Sequence, residues 1–146
     1  MFRLMIIVAA LLLPAGEVLA HGHESSSAPP PPPKKDTDAL PAQVVFNKGG
    51  GAMLADPKGM TLYYFDKDDS GNKSNCNGKC AERWVPLVAT GDAQAMGDFT
   101  LITRSDGSKM WAYRYRPLYT SQQDKAPGET NGAAGSTQWH IARPAM

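Results

Sequence analysis

The sequence predicts an all-β fold: a small single domain of two related repeats, with short strands and hairpins, behind a disordered amino-terminal tail. Three observations predict it. Leu62-Tyr63-x-Phe65-x-x-Asp68 returns as Leu118-Tyr119-x-Ser121-x-x-Asp124, and Trp84 returns as Trp139; the Tyr and Asp recur after 56 residues and the Trp after 55. A fixed internal period marks a duplicated structural unit. Fourteen glycines and twelve prolines in 146 residues favour turns and short strands over long helices. The apolar residues between those turns alternate with a period of two, as a strand requires.

Taken in order, residues 1–20 read as a signal peptide. Arg3 supplies the positive start, Leu4 to Leu13 are ten uninterrupted apolar residues, and Val18-Leu19-Ala20 sets small residues at a cleavage site after Ala20. The apolar run is shorter than the roughly 20 residues a membrane-spanning helix needs. The expectation is export to the periplasm or beyond, with no membrane span after processing. No cysteine lies near the cut, so these residues offer no lipid acceptor. Residues 21–42 form a His/Ser/Pro-rich tether. Pro29 to Pro33 hold an extended polyproline helix of roughly 15 Å, at about 3.1 Å per residue.

The folded part spans 43–146, with repeat one at about 43–98 and repeat two at about 99–144. Val44-Val45-Phe46 and Ala52 to Ala55 read as strands, and Asp56-Pro57-Lys58-Gly59 carries the residues of a tight turn. In Thr61 to Phe65, alternation puts Leu62 and Tyr64 on one face and Tyr63 and Phe65 on the other; Leu118 and Tyr119 divide the same way. Phe99 to Arg104 and Lys109 to Arg116 flank Ser105-Asp106-Gly107-Ser108, and Asp-Gly between two such runs signals a hairpin. On its second arm Trp111, Tyr113 and Tyr115 would share one side, either as core or as an open stacking platform. Gln138 to Ala142 gives the last strand.

From Gln43 onward twelve Lys/Arg stand against ten Asp/Glu, a net charge of about +2. No basic stripe results, which argues against a nucleic-acid partner.

The segment Leu62-Tyr63-Tyr64-Phe65-Asp66-Lys67-Asp68, then Cys76-Asn77-Gly78-Lys79-Cys80, Trp84-Val85-Pro86-Leu87 and the repeated Pro117-Leu118-Tyr119 resembles the bacterial secreted-repeat family of unknown function. That family is described as predicted lipoproteins with a Tyr-x-aromatic-x-x-Asp motif. The resemblance runs from about Val44 to Arg143. It implies a small exported β domain of two repeats and brings no established activity with it. The chain departs from the pattern at Ser121, where an aromatic is expected, and at Val85, where a second proline is usual; without an acceptor cysteine the lipoprotein label is not carried over.

Four sets of residues could carry chemistry. Cys76 and Cys80 are the only cysteines, and an even count in an exported protein points to a disulfide; a redox-active pair or a Cu(I) site is the sharper alternative. Cleavage after Ala20 would expose His21-Gly22-His23. Its free amine, two amides and third-residue imidazole supply the four in-plane nitrogens that Cu(II) or Ni(II) favours, although two histidines beside a processing site also arise without function. Asp66, Asp68, Ser70 and Gly71 match the opening half of a calcium loop, but Asn77 stands where a bidentate Glu is needed. His140 is the single histidine of the folded part, and no nucleophile motif accompanies it.

The residues therefore describe an exported, non-enzymatic envelope protein acting as a binding or structural module. Its partner would be an envelope component or a small ligand, and it carries no certain cofactor. The competing class is a copper- or nickel-binding protein using His21 and His23, or a thiol redox protein. Tyr63, Phe65, Asp68, Trp84, Tyr119, Asp124 and Trp139 are expected to fix the repeat's fold. Each Asp would accept backbone amides of its turn, and each Tyr would pack on the other copy's Trp.

Overall fold

The structure, a computed structural model, describes residues 40–68 and 73–146, which all belong to the unit Lys34–Met146. Residues 1–20, expected to be a signal peptide, together with His21, His23 and the run Pro29 to Pro33, lie outside the described residues, as do Ser70 and Gly71 of the acidic turn. The described chain is mostly β-structure in short strands. In order these are β1 (Gln43–Phe46), β2 (Ala52–Ala55), β3 (Tyr63–Phe65), a one-turn helix α1 (Lys79–Arg83), β4 (Trp84–Pro86), β5 (Phe99–Thr103), β6 (Lys109–Tyr113), β7 (Arg116–Pro117), β8 (Tyr119–Ser121) and β9 (Trp139–Ile141).

A four-stranded antiparallel sheet ordered β4-β8-β3-β9 sits at the centre. Its register explains the internal period. Tyr63 faces Tyr119 where the two inner strands meet, and each inner strand pairs outward with the Trp strand of the other repeat: Phe65 opposite Trp139, and Ser121 opposite Trp84. The repeats are thus exchanged across a local twofold at the Tyr63–Tyr119 pair. Backbone bonds outside the sheet obey the same operation. Ala142 N–H donates to Leu62 O at 2.8 Å and Leu87 N–H to Leu118 O at 2.9 Å; Leu54 N–H donates to Ala142 O and Trp111 N–H to Leu87 O, both at 2.8 Å.

The flanking sheets are the hairpin β1-β2 and the three-stranded β5-β6-β7. Asp106-Gly107 turns the β5-β6 hairpin, with Gly107 at φ 83°, in the left-handed region that a residue without Cβ enters freely. The central sheet is covered on both faces. Tyr63, Tyr119, Trp84, Trp139, Met110 and Cys76 build one core cluster, and Leu62, Leu118, Leu54, Trp111 and Phe99 build the other. That division follows the alternation read at Leu62-Tyr63 and Leu118-Tyr119, because neighbouring side chains on a strand leave on opposite faces.

Two expectations are corrected. The strand read across Lys109 to Arg116 ends at Tyr113: Arg114 (φ 47°) and Tyr115 (φ 67°) both adopt left-handed backbone and fold the chain back into β7. The aromatic stripe is split by that turn. Trp111 is buried in the core, Tyr113 is half-buried, and Tyr115 is 61% exposed. Trp84-Val85-Pro86, read only as an exit from the first repeat, is an edge strand, the position where a proline without N–H is tolerated.

Candidate functional site

The repeated motif closes on itself across the twofold. Tyr63 Oη donates to Asp124 Oδ2 at 2.7 Å, and Tyr119 Oη donates to Asp68 Oδ2 at 2.8 Å. Each carboxylate also clamps its own loop: Asp124 Oδ1 accepts from Asn131 N at 2.7 Å and Gly132 N at 3.3 Å, and Asp68 Oδ1 accepts from Asn75 N at 2.7 Å. Tyr63 and Tyr119 are fully buried. Burial, and then the adjoining carboxylate, push the Tyr63 hydroxyl far above the ordinary phenol range; burial does the same to Tyr119, with Ser74 pulling against it. Both phenols therefore remain protonated donors.

The rings do not pair as the sequence suggested. Each Tyr meets the Trp of its own repeat edge-on, Tyr63 on Trp84 at 5.3 Å and Tyr119 on Trp139 at 5.1 Å. Among the motif rings, the contacts that cross between repeats are Trp84 stacked on Trp139, with centroids 3.8 Å apart and planes 5° apart, and Phe65 stacked on Trp139 at 4.3 Å. Register is the reason. Phe65 lies directly opposite Trp139 on the neighbouring strand, while Tyr63 lies opposite Ile141.

Two different loops cover this core. Cys76 and Cys80 are joined in a disulfide with Cα atoms 5.2 Å apart, and Cys76 is fully buried. Arg104, only 7% exposed, donates to Cys76 O at 3.0 Å, Asn77 Oδ1 at 3.2 Å and Ser74 Oγ at 3.0 Å. Ser74 Oγ lies 2.7 Å from Tyr119 Oη. Since Tyr119 donates to Asp68, Ser74 donates to Tyr119, and a directed relay runs from guanidinium to carboxylate. In repeat two Gly132 takes the position of Cys76. A Cβ there would stand 2.6 Å from Ser121 Cβ and 3.0 Å from Trp84 Cη2.

A cleft of about 950 Å³ opens beside the Arg114-Tyr115 turn and reaches the core at Trp139 and Leu118. Arg114, Arg116, Arg143 and His140 line it, against one carboxylate, Asp98. Tyr64, Tyr113 and Tyr115 add rings. The Arg116 guanidinium sits 4.3 Å over the Tyr64 ring, which also stacks with His140 at 5.1 Å. His140 Nε2 lies 2.8 Å from Asp66 Oδ2. Asp66 and Asp68, paired above as possible calcium ligands, thus engage different partners on different elements.

Register and backbone bonds relate the segment that begins at β1 to the one that begins at β5. A family model described as a secreted repeat of unknown function matches those same two stretches, residues 44–88 and 100–143. The chain belongs to that family. No curated protein and no solved structure matches it. Among the described residues of this secreted-repeat chain, no helix is long and apolar enough to cross a membrane.

The motif positions of the secreted repeat come together in one buried cluster, apart from the half-buried Phe65 and Asp68 at its margin. Sequence reasoning missed Arg104 and Ser74, whose roles depend on a contact about 30 residues away in the chain. It also missed the cleft. Its signal was present in Arg114, Tyr115 and Arg116, but those residues were read as the end of a strand.

Proposed function

We propose that this secreted-repeat protein is an exported, non-enzymatic binding module of the cell envelope whose working face is the cleft beside the Arg114-Tyr115 turn. One observation carries the reading. The fold consumes its duplicated motif internally, through the reciprocal Tyr–Asp bonds and the Trp stack, whereas the turn at the cleft holds two bulky residues in left-handed backbone. Such strain gathers at ligand sites, where it is retained for what it positions. A cleft of this size suits a small molecule. His140 is held by Asp66 and stacked on Tyr64, which fixes its ring as part of the cleft wall. Cys76, buried and bonded to Cys80 beneath Arg104, favours a structural over a redox cysteine pair.

The test is one of location. Backbone amide spectra of the folded domain are recorded while glucose, benzyl alcohol, benzoate and phenyl phosphate are added singly to millimolar concentration. The expected result is that at least one probe moves the resonances of Tyr64, Tyr113 and His140 and leaves those of Tyr63 and Tyr119 in place. Perturbation confined to other surfaces would overturn the reading.

A further inference from the structure

We infer that the cleft is selective for an anion carried on a flat body: a carboxylate or phosphate held by the arginines, with an aromatic ring or the apolar face of a sugar laid on the tyrosines. This rests on the cleft being the binding face and goes on to name what it binds.

Charge comes first. Three arginines and one aspartate line the cleft, although the folded part as a whole is nearly balanced, with twelve basic against ten acidic residues. Among the described residues the single ion pair joins His140 to Asp66, and none of the three arginines is in one. Arg143 donates to Ala52 O at 2.9 Å, which leaves Arg114 and Arg116 for an anion; planar guanidinium forks free of carboxylate partners match the two-oxygen geometry of carboxylate and phosphate. Shape comes second. Arg116 and His140 both pack on the Tyr64 ring and occupy it, so the pre-positioned ring left for stacking is Tyr113, whose hydroxyl accepts from Ala145 N at 2.9 Å, with Tyr115 in the adjoining turn. Ring faces fixed in this way offer stacking area at little conformational cost.

Strain at the turn fits the same occupant. Arg114 and Tyr115 are adjacent, one cationic and one aromatic, and the turn presents both to the cleft. An Asn-Gly pair would make the same turn without strain and would present neither group.

The experiment titrates the folded domain with phenyl phosphate, tri-galacturonate, inorganic phosphate and benzyl alcohol, at low and at physiological salt. It is repeated with Arg114→Gln and Arg116→Gln, exposed positions whose replacement leaves the core untouched. Phenyl phosphate or tri-galacturonate should bind at the cleft at least tenfold more tightly than inorganic phosphate or benzyl alcohol. Salt should weaken that binding, and each Arg→Gln change should cost about tenfold or more, the size of a charge-assisted contact. Preference between the two anionic probes then assigns the flat body as aromatic ring or sugar. Benzyl alcohol binding the cleft as tightly as phenyl phosphate, with no response to salt or to either substitution, would overturn the anion assignment and leave the binding module standing. No shift at the cleft with any of the four would overturn both.

Discussion

The loop that closes over repeat one is held by a disulfide, a serine and a buried guanidinium, whereas the loop in the same place in repeat two is held by the Asp124 and Glu129 carboxylates, by Thr61 bonded to Glu129 O, and by a glycine pressed against Ser121. The Tyr–Asp bonds beneath them have nearly the same length, 2.7 and 2.8 Å. The difference lies in redundancy. Tyr119 has Ser74 as well as Asp68 within hydrogen-bond distance, and Arg104 ties Ser74 to the disulfide loop. For Tyr63 the structure gives Asp124 alone among the described side chains, and that same carboxylate carries the loop amides of Asn131 and Gly132. A duplicated motif has thus become one load shared among three side chains on one side and, on the other, carried by a single side chain, Asp124, with the Gly132 backbone beside it.

The sharpest way to break this comparison is to remove each aspartate. Asp124 is 5% exposed, and Asp124→Ala would leave a buried phenol and two loop amides unsatisfied; with each such group costing about 1–3 kcal/mol, a loss of roughly 3–4 kcal/mol is expected. Asp68→Ala should cost only about 1–2 kcal/mol, because Tyr119 keeps Ser74 and Arg104 keeps the loop in place. Urea unfolding of the two variants measures the gap. Equal losses would show that the extra groups around repeat one add nothing.

Next in size is Gly132→Ala. Its Cβ would fall 2.6 Å from Ser121 Cβ, a strand atom that cannot swing away, so overpacking of about 2–3 kcal/mol is expected. Pairing it with Ser121→Gly removes the contacts with Ser121 Cβ at 2.6 Å and Ser121 Oγ at 2.8 Å and should recover part of the loss; no recovery would place the clash on the Trp84 ring instead.

Opening the other loop should be milder. The disulfide closes only a short loop, which limits its entropic contribution to about 2 kcal/mol. Cys76→Ser with Cys80→Ser is therefore expected to lower the urea midpoint while keeping a cooperative transition and dispersed aromatic resonances, since Arg104 and Ser74 still anchor the loop. Complete unfolding of the double variant would mean that the covalent link, not the relay, holds this side together.

How much of this was legible beforehand follows from the range of each interaction. The strands and faces around Leu62-Tyr63 and Leu118-Tyr119 were readable, because alternation is a property of neighbouring residues. The 56-residue period was readable as duplication, but not as an exchange of strands, since Tyr63 could have met Asp68 or Asp124 with the same spacing. Once the register puts Phe65 opposite Trp139, each Tyr is left to its own Trp, and only coordinates supply that register. Arg104 was invisible for the same reason: nothing near it in sequence announces the loop it holds. The turn at Arg114-Tyr115 was concealed by its own composition, because no Gly or Asn marks it.

That last point yields the smallest effect and the only expected gain. The turn between β6 and β7 places two consecutive non-glycine residues at positive φ, the geometry that Asn-Gly adopts most readily. Arg114→Asn with Tyr115→Gly should therefore stabilise the domain by about 1 kcal/mol through relief of backbone strain, raising Tm by about 4–8 °C for a domain of this size. The backbone bond from Arg114 N to Asp98 O, at 2.8 Å, survives the change, so the turn itself is retained. The same variant removes a guanidinium and a ring from the cleft, and its affinity for phenyl phosphate should fall as its Tm rises. Opposite movement of the two quantities would separate this region from the Tyr–Asp core, where any substitution that disturbs the motif lowers stability. A fall in Tm would instead mean that contacts of the Tyr115 or Arg114 side chain hold the turn, and the strain would no longer speak for a ligand.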